Sequence, residues 1–106
     1  MNRGEIWWVN FDPSVGGEIQ KQRPAVIVSN DISNKYLNRV QVVPVTSRVE
    51  KLYPSEAYVT VAGKQGKAMA DQLATVIKQR LHKLIGRVTQ VEMQEIERAI
   101  RTQLEL

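Results

Sequence analysis

Pro24 and the apolar run behind it constrain this chain more than any other feature of its 106 residues. Gln22-Arg23-Pro24-Ala25-Val26-Ile27-Val28-Ser29 holds an unbroken apolar stretch in which Val26, Ile27 and Val28 are β-branched. That is the pattern of a short strand buried on both faces. Proline drives the residue before it out of the helical region, so Arg23 is held extended at the mouth of a core strand. A guanidinium on such a base suits oriented contact with phosphate, because its planar fork binds two oxygens at once. Two readings stay open at this point: a phosphate-binding arginine, or an ordinary strand entrance with a solvated side chain.

The length fits one domain spanning 1–106, able to bury roughly two-thirds of its unfolded surface. Without cysteine there is no disulfide framework and no thiolate metal site, and a single histidine, His82, makes no histidine-rich one. No metal and no cofactor is expected. No apolar run approaches the length of a membrane span. The start, Met1-Asn2-Arg3-Gly4-Glu5, lacks the apolar core of a secretory signal, which points to the cytoplasm. The formal charge of +4 favours an anionic partner, nucleic acid first.

Glu5 to Phe11 reads as a strand apolar on both sides, Ile6 and Trp8 on one face and Trp7, Val9 and Phe11 on the other. Such a strand needs two covers, and a helix or a second subunit could supply the outer one. Asp12-Pro13 ends it. Ser14 to Gln22, with Gly16, Gly17 and Lys21, shows no periodicity and reads as a mobile loop feeding Arg23. Asn30-Asp31 signals a turn or cap before a helical turn over 32–38. Val40 to Val45 is the next strand, and Pro44 inside it points to an edge or a bulge. Thr46-Ser47-Arg48 at its end could bond a phosphate or sugar, or satisfy backbone groups.

Tyr58 to Val61 is a further strand, with Ala62-Gly63 and Gly66 marking a hairpin turn. Asp71-Gln72 interrupts the following apolar stretch, either as a bulge facing a site or as a satisfied core pair. Lys78, Arg80, Lys83 and Arg87 form a basic run, read as a helical turn with Leu81, Leu84 and Ile85 inward. Thr89-Gln90-Val91-Glu92 is a capping box. Met93, Ile96, Ile100 and Leu104 behind it mark an amphipathic helix to the C-terminus. The expected fold is mainly β with helices: a small, strongly bent sheet or barrel.

Taken in order, Arg3-Gly4-Glu5-Ile6-Trp7, Phe11-Asp12-Pro13, Gln22-Arg23-Pro24, Ser29-Asn30-Asp31, Pro44-Val45-Thr46-Ser47, Asp71-Gln72 and Ile85-Gly86-Arg87 span nearly the whole chain. The succession resembles the MazF/PemK/Kid family of toxin endoribonucleases. The resemblance implies an SH3-like barrel with a C-terminal helix, a homodimer, and a cognate antitoxin whose acidic tail occupies the RNA groove. It also implies metal-independent, sequence-specific cleavage of single-stranded RNA, leaving a 2′,3′-cyclic phosphate and a 5′-hydroxyl. The family's catalytic arginine and threonine fall on Arg23 and Thr46. Lys21, Gln22, Ser47, Arg48, Asp71 and Gln72 are the implied RNA-binding residues. Some members use an arginine two residues before the aspartate of the Asp-Gln pair, where this chain has Met69.

The chemistry suits these residue types. Internal attack by a ribose 2′-hydroxyl needs alignment of the nucleophile and stabilisation of the growing phosphorane charge. Arginine stays protonated, so Arg23 acts as an electrostatic stabiliser. Thr46 can bond a phosphate oxygen or orient the 2′-hydroxyl. Two other readings compete: a CcdB-like gyrase poison and an SH3-like module that holds RNA without cutting it. The first depends on a Trp-Gly-Ile end, and this chain ends Gln103-Leu104-Glu105-Leu106.

Overall fold

The computed structural model describes residues 1–12 and 21–106. The loop expected between Ser14 and Gln22, and Pro13 as a strand terminator, lie outside the described residues except for Lys21 and Gln22. Among the described residues seven strands form one curled antiparallel sheet: β1 (Glu5–Asn10), β2 (Gln22–Ile27), β3 (Arg39–Thr46), β4 (Glu56–Val61), β5 (Lys64–Met69), β6 (Ala74–Ile77) and β7 (Leu81–Arg87). Helix α1 (Asp31–Tyr36) joins β2 to β3, and α2 (Gln90–Leu104) follows β7. The sheet order is β4-β5-β3-β2-β1-β7, and β6 pairs with β3 beside β5.

The central strands are buried on both faces, as the Ala25–Val28 run requires. Ile6, Val26, Val43 and Val45 pack with Val59, Ile96 and Ala99 under α2. Val9, Ala25, Ile27, Val40 and Val42 pack on the other face with Val76 and Leu81, and Trp7 and Phe11 close over them. The second cover is therefore the sheet itself, curling until β6 and β7 meet its own back. A fully buried valine or isoleucine in such a place contributes about 1.5–3 kcal/mol.

Pro44 lies in the middle of the sheet, contrary to the edge or bulge expected of it. It pairs with Ala25 of β2 on one side. On the other side β6 pairs with β3 from Arg39 to Val42, and β5 takes over at Val45 and Thr46. Pro44 falls in the gap between those two partners, where a ladder N–H is not needed. The basic run is a helical turn only at its start: Lys78–Arg80 form a single 3₁₀ turn, and Leu81–Arg87 is a strand, β7. Pairing with the apolar β1 overrides the helical spacing, and two register shifts let β7 follow the curl. Arg80 belongs to the framework, since its guanidinium donates to the carbonyls of Asn10 and Asp12. The hairpin turn is Ala62-Gly63, both at positive φ (51° and 80°), while Gly66 sits inside β5.

Helix α2 starts as its capping box directs, with Thr89 accepting from the Glu92 N–H and Glu92 accepting from the Thr89 N–H. It also closes the outer edge of β4. Glu92 Oε2 accepts the Thr60 N–H at 2.7 Å, and Arg98 donates to the Glu56 carbonyl at 2.8 Å. The Arg3-Gly4-Glu5 segment ties the amino end to three elements. Arg3 donates from its backbone to Asp31, from Nε to the Val28 carbonyl and from Nη2 to Glu97.

Burial works against the charged form of Glu5. The Trp7 indole N–H, the backbone at Asn2, the amino terminus and Arg87 together outweigh it and hold the carboxyl below its ordinary range. A depressed folded-state pKa gives stability that is present above the unfolded value and is lost as pH falls through the folded one. Wild-type stability to urea should therefore drop below about pH 4, and Glu5→Gln should flatten part of that slope. Parallel pH profiles for the two proteins would remove Glu5 from the acid response.

Candidate active site

At the sheet end where β2 begins and β3 finishes, a cleft of about 490 Å³ opens. Its position follows from register. The β2–β3 ladder ends at Ala25–Pro44, and just beyond it Arg23 and Thr46 both line the cleft. On its far side Arg23 pairs with Val9, and Pro24 with Trp8. On the far side of Thr46 stands Lys67 of β5. Three strand pairings thus converge on one place.

The floor is apolar, made by Trp8, Pro24, Val45, Val61 and Gly66. Lys21, Gln22, Arg23, Thr46, Ser47, Lys64 and Gln65 supply the polar groups. Three of these are cations, and among the described residues the lining contains no carboxylate. None of the three takes part in the ion pairs found among the described residues. Positive charge over a low-dielectric floor concentrates field on an anion.

Arg23 is half-buried, and its Nε is sealed from solvent without a hydrogen-bond partner among the described residues. A buried donor left open costs about 1–3 kcal/mol. Thr46 is buried. Its Oγ1 accepts from the Arg48 N–H at 3.3 Å, and its own O–H remains available to donate. Lys21 is fixed at the rim in a left-handed conformation, φ 61°. Its N–H donates to Asp12 Oδ1 at 2.8 Å, and its carbonyl accepts from the Phe11 N–H at 2.9 Å. The residue expected in a mobile segment is thus a pinned step at the cleft.

Gly66 has a steric reason to be glycine. A Cβ there would stand 2.7 Å from Val45 Cγ1 and 3.1 Å from the Thr46 carbonyl oxygen. Any side chain would push on the strand end that carries Thr46.

Of the residues nominated from sequence, the cleft gathers Lys21, Gln22, Arg23, Thr46 and Ser47. Arg48 is exposed beside it without joining the lining. Asp71 and Gln72 lie on a short 3₁₀ turn, Ala70–Gln72, where Asp71 borders a separate hollow with Tyr53, Pro54 and Gln103. Trp8, Lys64, Gln65 and Gly66 escaped the sequence reading. Only the β3–β5 pairing brings the last three to β2, and alternation along β1 shows Trp8 turning away from Val9 without showing what it meets.

The profile of PemK-like, MazF-like toxins of type II toxin-antitoxin systems matches residues 2–104. The chain is 42% identical to "Endoribonuclease MazF9" of Mycobacterium tuberculosis, over all of this chain and 98% of that protein. It is 30% identical to "Endoribonuclease MazF" of Staphylococcus saprophyticus, over 94% of this chain and 88% of that one. Among solved structures, MazF from Deinococcus radiodurans superposes with a TM-score of 0.88 at 26% identity, over 100% of this chain and 97% of that one. A mycobacterial endoribonuclease in complex with its cognate antitoxin superposes with a TM-score of 0.84 at 25% identity, over 100% and 96%.

Proposed function

The chain belongs to the PemK-like, MazF-like family of toxin endoribonucleases of type II toxin-antitoxin systems, and from that premise we propose that the cleft between β2 and β3 is where it cuts RNA. The observation that carries this reading is that Arg23 and Thr46 line one cleft together with Lys21 and Lys64, with no carboxylate among its described lining residues and the Arg23 Nε–H buried without a described partner. Residues 1–106 act as one toxin domain. The substrate is single-stranded RNA, cut at short sequences by attack of a ribose 2′-hydroxyl on the adjacent phosphorus. The 2′ O–H bond breaks as the 2′ O–P bond forms, the P–O5′ bond breaks and the leaving 5′ oxygen takes up a proton, so the products are a 2′,3′-cyclic phosphate and a 5′-hydroxyl. Because the nucleophile is part of the substrate, the step calls for no metal-bound water.

Arg23 donates to the non-bridging oxygens as charge grows on them, and Thr46 holds a phosphate oxygen or the 2′-hydroxyl in line. Lys21, Gln22 and Ser47, with Lys64 from β5, contact the strand on either side of the cut. Arg48, Asp71 and Gln72 meet RNA beyond the cleft. The protein works in the cytoplasm, and among the described residues no helix is long and apolar enough to cross a membrane.

Arg23→Ala should lower cleavage of a long single-stranded transcript in EDTA by roughly a hundred- to a thousandfold while the protein stays folded. Arg23→Lys should restore little, because a point charge cannot reproduce the fork. A folded Arg23→Ala protein that cuts at the wild-type rate would take Arg23 out of the mechanism.

The same cations fit an acidic antitoxin segment, which would order itself on Lys21, Arg23 and Lys64 as RNA phosphates do. Such a peptide should displace labelled, uncleavable RNA, and both affinities should fall as salt rises. Simultaneous binding of peptide and RNA, neither weakening the other, would place inhibition elsewhere.

The chain acts as a homodimer. A second subunit is not needed to cover β1, since Trp7 and Phe11 cover the second core cluster and Trp8 lines the cleft. Support now comes from other exposed apolar residues, among them Ile32, Tyr36, Ile77, Leu84, Leu104 and Leu106. Light scattering at micromolar concentration should give about twice the 12.1 kDa chain mass. A clean single-chain mass would refute it.

A further inference from the structure

We propose that Trp8 is a specificity-determining residue: its indole face is the platform on which one base flanking the cut stacks, with the Gln22 and Gln65 amides placed to read that base's edge. This rests on the ribonuclease reading of the cleft and adds to it the group that holds the base.

The two adjacent tryptophans have opposite environments. Trp7 packs against the second core cluster, and its indole N–H donates to Glu5 Oε1 at 2.9 Å. Trp8 is 37% exposed, belongs to neither core cluster, and its indole N–H donates to no described residue. Burying an indole would be the favourable outcome for folding alone. Trp8 instead lines the cleft beside its cross-strand partner Pro24.

The chemistry of the surroundings selects a nucleotide. Cations at Lys21, Arg23 and Lys64 supply the phosphate-binding groups, and the floor supplies a flat aromatic face. Side-chain amides at Gln22 and Gln65 each offer donors and an acceptor, the equipment needed to discriminate Watson–Crick edges. Every base has a π face, so the platform provides affinity and placement while the amides provide choice.

Stacking is made in the ground state and the transition state alike, so its loss should act on KM. With a long single-stranded transcript as probe, Trp8→Leu, which keeps apolar cover and removes the aromatic face, should raise KM roughly ten- to a hundredfold. Its kcat should stay near wild type. Sequenced product ends should show weakened preference at one nucleotide beside the cut. Trp8→Phe should keep most of both properties, and Arg23→Ala should instead lower kcat. Unfolding midpoints for the Trp8 variants should match wild type, because the side chain lies outside both clusters. If Trp8→Leu cuts the same sites with unchanged KM, or if Trp8→Phe is as impaired as Trp8→Leu, the stacking role is wrong. A wild-type protein that leaves the transcript intact would remove the ribonuclease reading and this inference with it.

Discussion

Strand β3 changes partners halfway along, and the site depends on that change. Over Arg39–Val42 it is hydrogen-bonded to β6, and at Val45–Thr46 to β5, with β2 alongside from Val42 to Pro44. A strand whose neighbour switches must bend, because two partners cannot both continue flat past the same residue. Pro44 stands at the switch, the one place in this strand where a missing N–H costs nothing. The bend carries the β4–β5 hairpin away from β2, and the space left between them is the cleft. A flat seven-stranded sheet of the same sequence order would have no such opening.

The rest of the framework holds that bend in place. Arg3 links the Val28 carbonyl to Glu97 on α2, so the far end of β2 and the helix cannot separate independently. Glu92 and Arg98 satisfy the open edge of β4 from the same helix, which fixes the hairpin whose inner strand lines the cleft. Lys67, directly opposite Thr46, is buried in an ion pair with Glu56 at 2.8 Å. Removing one partner of such a pair typically costs about 3–5 kcal/mol, so the back of the cleft is firmly held. Rigid backing is what an electrostatic catalyst requires, since its donors must be in place before charge develops.

Much of this was legible in the residues. Alternation along β1 sorted Ile6 from Val9 correctly because a pleat has a fixed period, and the capping box located α2 because its two hydrogen bonds are local. The family resemblance carried Arg23 and Thr46. Long-range pairing was what the sequence could not display. The basic run at 78–87 looks helical by spacing alone; only Lys78–Arg80 keep a helical turn, and the demand of β1 for a partner makes Leu81–Arg87 a strand. Gly66 resembled a turn residue, whereas its reason is contact with Val45 and Thr46, twenty residues away in the chain. Trp8 read as half of an apolar pair, because nothing local distinguishes an indole that covers a core from one that faces a ligand.

The account rests on the 2′-hydroxyl of the substrate being the nucleophile and on the protein supplying charge stabilisation rather than an activated water. Mass spectrometry of the termini left on a cleaved oligoribonucleotide tests this most directly. The account predicts a 2′,3′-cyclic phosphate on the upstream fragment and a free 5′-hydroxyl on the downstream one. A 3′-hydroxyl paired with a 5′-phosphate would mean that water attacks from the opposite side, and would contradict it.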